Sequence, residues 1–177
     1  MCVIIHGSVA TVRRHFVDAW ASNPDGFGAV VPTSRTVYRT LDAVDAAAWL
    51  ARLPRDEDVL AHFRYKTHGV VSKRMCHPFV TTDRRWVIAH NGVIHGYGSD
   101  RESDTAQFVR EIPPGLSRED ILAYIEMADP VSRFAVYDVK GRSTHFVGGW
   151  EMDSDGSMHS NYTLLRRRSM GWASFNR

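Results

Sequence analysis

The spacing of apolar residues changes between two periods along the first part of the chain. Short apolar runs alternate with stretches in which apolar residues recur every three or four positions, as from Val9 to Trp20. The second spacing is that of a helix with one buried face. Asn23-Pro24-Asp25-Gly26 and Pro54 are strong stop signals. The predicted elements are, in chain order, strand 2–5, helix 10–22, strand 27–32, strand 36–39, helix 42–53 and strand 59–65.

Two helices are predicted among the strands of the second part. Ser103 or Asp104 can cap the first helix, and Ser117 can cap the second. Asn91-Gly92 is a tight-turn signal, so we expect a hairpin in which a strand resumes at Val93. The predicted strands are 85–89, 93–94, 133–139, 144–150 and 161–165. Because strands and helices come in blocks, we predict an α+β layered fold rather than a Rossmann-like alternation.

Composition narrows the class of protein. The 177 residues are 44% hydrophobic and 24% charged, which predicts one globular domain over residues 1–177. A net charge of +2 gives no reason to expect nucleic-acid binding, and no apolar run approaches the ~20 residues of a membrane span. The first apolar run is also too short for a signal peptide. Two cysteines do not make a disulfide scaffold, so we expect a cytoplasmic protein.

Cys2 is the first candidate for chemistry. If Met1 is removed, a thiol and a free α-amine lie on one residue, so that residue supplies both a nucleophile and a base. Their ordinary pKa values, about 8.5 and roughly 7.7–8.0, are close enough to neutrality for modest shifts to activate them. The alternative is a small buried residue that begins a strand.

Three other candidate motifs also have ordinary structural explanations when each is considered alone. Arg64 follows a predicted strand and could be a surface charge. Asn91-Gly92 could be a hairpin turn, and Asp104 could be a helix cap. The combination is more specific than its parts. It comprises Cys2, the N-x-D-G-x-G turn at 23–28, R-x-x-T-H-G at 64–69, His77-Pro78, H-N-G-x-I at 90–94 and S-D-T at 103–105.

In this order the pieces resemble the glutaminase domain of the class II glutamine amidotransferases, a group of N-terminal nucleophile hydrolases. The resemblance covers residues 2–105, and Gly148-Gly149-Trp150 and Ser160-Asn161-Tyr162 resemble the end of compact stand-alone members. It implies a four-layer αββα sandwich of two mainly antiparallel sheets. We expect the residues after Asp104 only to complete the sheets, without a synthase domain.

The resemblance also implies catalytic roles. Cys2 attacks the side-chain amide carbon of L-glutamine, and its α-amine takes the thiol proton and later delivers one to ammonia. The Asn91 side-chain amide and the Gly92 backbone N–H face the developing oxyanion. One such donor is worth ~2.7–4 kcal/mol in the transition state.

Four residues are implied in substrate binding. Arg64 holds the α-carboxylate of glutamine in a bidentate contact that Lys cannot imitate. Thr67 and His68 assist from the following loop, and Asp104 pairs with the α-ammonium. Ala106 stands where an acidic residue is common in the family, and Cys76 where Asn is more usual.

The expected reaction releases glutamate and ammonia through a γ-glutamyl thioester and needs no cofactor. We expect the ammonia to pass to a separate acceptor synthetase. Two alternatives stay open: hydrolysis of another small amide or γ-glutamyl compound, and a non-catalytic partner subunit. Arg64 and Asp104 count against the first because they match both charged ends of an amino acid, and Cys2 counts against the second.

Three further features are ambiguous. Cys76 is either an inert core thiol or a redox-sensitive neighbour of the site. The basic end, Arg166-Arg167-Arg168 with Trp172 and Phe175, is more typical of a solvated tail than of a nucleic-acid or protein contact. Five histidines could suggest zinc, but they lack metal-ligand spacing, so we expect no metal there. They are His62, His68, His77, His90 and His95.

Overall fold

Within residues 1–161, each of the four α-helices begins at a polar residue whose side chain accepts a hydrogen bond from the first turn, and Lys73–Met75 form a short 3-10 helix. The computed structural model describes residues 1–161, and the caps within it are Ser8, Asp42, Ser103 and Ser117. These contacts satisfy N–H groups that a helix start otherwise leaves unpaired. The helices are α1 (Val9–Ser22), α2 (Ala43–Ala51), α3 (Asp104–Glu111) and α4 (Arg118–Ala128).

The strands of the described part form two sheets in which every pair is antiparallel. The first sheet consists of β1 (Val3–Ser8), β2 (Phe27–Val31), β3 (Thr36–Thr40), β4 (Asp58–Phe63), β9 (Glu151–Met152) and β10 (Met158–His159). The second consists of β5 (Phe79–Val80), β6 (Trp86–Asn91), β7 (Arg133–Asp138) and β8 (Ser143–Val147). The first sheet has the order β3-β2-β4-β1-β10-β9 and the second the order β5-β6-β7-β8.

Three apolar clusters define the layers. One lies between the first sheet and helices α1 and α2, and a second lies between the second sheet and helices α3 and α4. The third, which includes Ile4, Leu60 and Tyr137, fills the space between the two sheets. Alternate residues of a strand face opposite sides, so Ile4 and Ile5 serve different clusters. The predicted αββα sandwich is confirmed.

The predicted hairpin at Asn91-Gly92 is wrong. Strand β6 ends at Asn91, and its sheet neighbours are β5 and β7. The chain leaves the sheet because the backbone N–H of Ile94 donates to Asp104 Oδ2 at 2.8 Å and the Ile94 side chain is fully buried. A tertiary contact thus redirects a locally favourable turn.

The end of the chain was predicted less well. Strands β9 and β10 have two residues each and flank the turn at residues 153–156, which is confirmed. The predicted strand 161–165 and the basic tail lie outside the described residues, apart from residue 161. Within residues 1–161, no helix has the length and apolar character needed to cross a membrane.

Candidate active site

Cys2 lies immediately before β1, the strand between β4 and β10. Its Sγ accepts a hydrogen bond from the Tyr65 N–H and donates to the Tyr65 carbonyl, both at 3.4 Å. Burial raises the pKa of the thiol, and the Tyr65 contact, the amino terminus and Arg64 offset part of the rise. The thiol is therefore mainly protonated at neutral pH, and a nucleophilic role requires a base.

The turn at residues 23–28 is hydrogen-bonded to the backbone of Arg64. Arg64 N donates to the Gly26 carbonyl at 2.8 Å, and Asp25 N donates to the Arg64 carbonyl at 3.0 Å. Gly28 is required because a Cβ there would lie 1.8 Å from the His77 carbonyl oxygen. These contacts hold the start of the loop that follows β4.

The Arg64 side chain is only 2% exposed. Its guanidinium donates to the carbonyls of His68 at 3.0 Å and Val70 at 2.9 Å, which shapes the loop after β4. Among residues 1–161, Arg64 forms no ion pair with a carboxylate. A buried cation without an anionic partner is costly, so the site is suited to an anionic ligand.

Asp104 is the first residue of α3 and is buried. Its Oδ2 accepts from Ile94 N, and its Oδ1 accepts from Thr105 N, each at 2.8 Å. Within the described part of the chain, Asp104 pairs with no cation. Asp104 alone could have been explained as a helix cap, but the side chain that caps α3 is that of Ser103.

Six of the seven predicted site residues line one pocket beside the thiol. Arg64 and Asp104 both line it without forming an ion pair with each other. The complete lining is Cys2, Arg64, Tyr65, Thr67, His68, His77, His90, Gly92, Ser103, Asp104 and Thr105.

Asn91 is the predicted residue that does not line the pocket. It is buried at the end of β6, and its amide nitrogen donates to the carbonyl of Ser160 at 3.2 Å and to Ser160 Oγ at 3.1 Å. Ser160 Oγ also accepts from Ile4 N at 2.8 Å, and Ser160 N donates to the Ile4 carbonyl at 3.0 Å. Ser160 therefore connects the end of β6 to the strand that follows Cys2.

Gly92 follows Asn91 and brings the backbone to the pocket. A Cβ at this position would lie 1.8 Å from Ser132 Oγ and 2.4 Å from Ser132 Cβ. Only glycine fits this close approach. Cys76 lies beneath the 23–28 turn, since a Cβ on Gly26 would come 2.5 Å from its sulfur, and it does not line the pocket.

Three of the histidines form a buried row at the pocket: His77 and His90 line it, and His62 does not. The rings of His62 and His77 stack at 4.0 Å, and those of His77 and His90 are 6.5 Å apart. Burial lowers the pKa of His62 to about 3 and that of His77 well below its ordinary value. His90 Nδ1 lies 2.8 Å from Thr105 Oγ1, so this ring buttresses the helix start that carries Asp104.

A family model for class II glutamine amidotransferases matches residues 25–112, about half of the chain. That segment contains Arg64, Gly92 and Asp104, whereas Cys2 precedes it. The chain belongs to the class II glutamine amidotransferases.

Relatives of this amidotransferase chain are similar over shorter segments. Proteins named glutamine–fructose-6-phosphate aminotransferase (isomerizing) from Bacillus cereus (strain ATCC 14579) and Bacillus anthracis are each 47% identical over 47 residues, 24% of this chain and 8% of theirs. The protein of that name from Chlamydia pneumoniae is 32% identical over 84 residues, 46% of this chain and 14% of its own. The matches thus span only a small part of these relatives' length.

Ser160 and Ser132 support the site but carry little signal in the sequence. Ser160 belongs only to the chain-end resemblance, and Ser132 belongs to none of the motifs. Both act through contacts with residues far away in sequence, Asn91 and Gly92. No local pattern reports such contacts.

Proposed function

We propose that this chain hydrolyses the side-chain amide of L-glutamine to glutamate and ammonia, with Cys2 as the nucleophile. The observation that supports this most is the pair of opposite buried charges in the pocket beside the thiol. Arg64 is unpaired with any carboxylate of residues 1–161, and Asp104 is unpaired with any cation there. These charges match the α-carboxylate and α-ammonium of a free amino acid.

The substrate's amino-acid end is then held by Arg64 and Asp104, with Thr67 and His68 beside it. Arg64 already uses two N–H donors on the His68 and Val70 carbonyls, which fixes the guanidinium plane. Its remaining donors are available for the carboxylate. Fixing this end places the side-chain amide near the sulfur, and such positioning lowers the entropic part of the barrier.

The chemical step begins with removal of the thiol proton. After loss of Met1, the Cys2 α-amine accepts that proton, and Sγ forms a bond to the amide carbon of glutamine. The carbonyl π electrons move onto oxygen, facing the Gly92 N–H. Collapse of this intermediate breaks the C–N bond, and the α-ammonium returns its proton to the leaving ammonia. Water then hydrolyses the thioester, releasing glutamate and regenerating the thiol.

Asn91 completes this oxyanion site in our proposal. Its amide carries two N–H donors. Both contacts of this amide nitrogen go to Ser160, so one N–H turns from Ser160 to the oxyanion when glutamine is bound, while the other contact keeps the amide in place. This assignment gives Ser160 a positioning role through Asn91.

The ammonia passes to a separate acceptor synthetase in our proposal. The relatives' name pairs glutamine with a second substrate, which supports use of the amide nitrogen beyond simple hydrolysis. The two free thiols, Cys2 and Cys76, support a cytoplasmic location.

The test measures glutamate and ammonia release from L-glutamine by the purified full chain, with intact-mass measurement of Met1. We expect turnover only from chains that have lost Met1, none from Cys2→Ala, and normal turnover from the matched control Cys76→Ala. Turnover by Cys2→Ala would overturn the mechanism. Turnover of a γ-glutamyl amide but not of glutamine would overturn the substrate assignment.

A further inference from the structure

A second cluster of ligand-type side chains lies away from the Cys2 pocket, between α1 and the β9–β10 hairpin. It consists of His15 on α1, Asp153 at the start of the hairpin turn and His159 on β10. Each residue offers one ligand atom within 4.8 Å of the other two. The two imidazole rings meet edge to face at 5.1 Å, and both histidines are almost completely buried.

The hydrogen bonds of His159 point to a ligand. Its Nε2 lies 2.9 Å from Ser157 Oγ, whereas its buried Nδ1 has no hydrogen-bond partner. Metal-binding histidines typically use one ring nitrogen for the ion and the other for a hydrogen bond that fixes the ring.

We infer that His15, Asp153 and His159 bind one divalent transition-metal ion of the zinc type. Two imidazoles and one carboxylate are a donor set that such ions accept, with a fourth position left for water. Tetrahedral binding at about 2.0–2.1 Å separates ligand atoms by roughly 3.3 Å, so the three groups must close by up to ~1.5 Å. Asp153 can supply this movement because it lies on a turn and its side chain is 27% exposed.

The charges around the cluster allow a cation. Arg14 is the nearby positive group, and its guanidinium lies 3.5 Å from Asp153 Oδ2 but 2.6 Å from Asp155 Oδ2. Arg14 can therefore keep Asp155 as its partner while Asp153 turns to the metal. The ion would tie α1 to the hairpin directly before Ser160, the residue that holds Asn91.

The experiment titrates Zn²⁺ into metal-free full-length Cys2→Ala protein by calorimetry, so that the active-site thiol does not bind the metal. Co²⁺ is the spectroscopic probe. We expect one Zn²⁺ per chain, visible bands of tetrahedral Co²⁺, and a higher unfolding temperature with metal. Each of His159→Gln and Asp153→Asn should weaken binding at least tenfold.

His95→Gln is the matched control because it makes the same change at an exposed histidine, and it should leave affinity unchanged. Asp153→Asn keeps the size of a partly exposed side chain, so it tests the site even if His159→Gln fails to fold. Absence of binding, or binding that Asp153→Asn and His159→Gln leave unchanged, would overturn the inference. The Cys2→Ala background makes the result independent of the proposed glutamine chemistry.

Discussion

Replacing Ser160 with Ala tests how the oxyanion site is held. The change deletes one oxygen that accepts from both Ile4 N, at 2.8 Å, and Asn91 Nδ2, at 3.1 Å. The Ile4 N–H is then left buried without this partner. Such a loss costs about 1–3 kcal/mol of unfolding free energy.

The effect on catalysis follows from the second lost contact. Asn91 keeps its hydrogen bond to the Ser160 carbonyl at 3.2 Å, so its amide is loosened rather than released. Complete loss of one oxyanion donor costs about 10²–10³ in kcat. We therefore expect Ser160→Ala to lower kcat by about ten- to a hundredfold, with little change in KM because glutamine binding rests on Arg64 and Asp104.

The assay is steady-state glutamate release by wild type, Ser160→Ala, Asn91→Ala and the double variant, with denaturant unfolding of each. If Ser160 acts through Asn91, adding Ser160→Ala to Asn91→Ala should change kcat less than twofold, because the effects of two coupled residues are not additive. An unchanged kcat in Ser160→Ala despite lower stability would refute the reasoning. So would full additivity of the two effects in the double variant.

Three other predictions concern binding, packing and pH. Arg64→Lys should raise KM for glutamine at least tenfold because one ammonium cannot replace the bidentate guanidinium; an unchanged KM would contradict this. Gly28→Ala should cost at least about 1–3 kcal/mol in denaturant unfolding because its Cβ meets the His77 carbonyl, whereas Gly149→Ala, with no atom within 4 Å, should cost far less. His62, with its pKa lowered to about 3, binds a proton more readily when unfolded, at about 6.5. Stability should therefore fall as pH drops below about 6.5, and less steeply in His62→Gln.

Much of the fold could be predicted because its signals are local. The apolar spacing of α1 and the Ser117 cap of α4 lie within their own segments, and the structure places both helices at the predicted positions. The turn at residues 23–28 was equally predictable, because the glycines that it needs, Gly26 and Gly28, lie within the turn itself. Local patterns suffice where the residues that determine an element belong to that element.

Prediction was less successful where distant contacts determine the structure. Asn91-Gly92 has the signature of a hairpin, but Asp104 holds Ile94 out of the sheet. The spacing of His15 and His159 in sequence gives no hint that their rings meet, because the pairing of β10 with β1 brings them together. The residue types of Cys2, Arg64 and Asp104 indicate the candidate chemistry from the sequence alone. The contacts that hold these side chains in place are visible only in the three-dimensional structure.

The central claim is that Cys2 reacts with the side-chain amide of glutamine in the pocket bounded by Arg64 and Asp104. Its most direct test is labelling with an electrophilic analogue of glutamine, followed by peptide mass spectrometry. The account predicts one label per chain, on Cys2, that excess L-glutamine prevents and that Cys76 does not acquire. Labelling of Cys76 instead, or labelling of Cys2 that glutamine does not reduce, would contradict it.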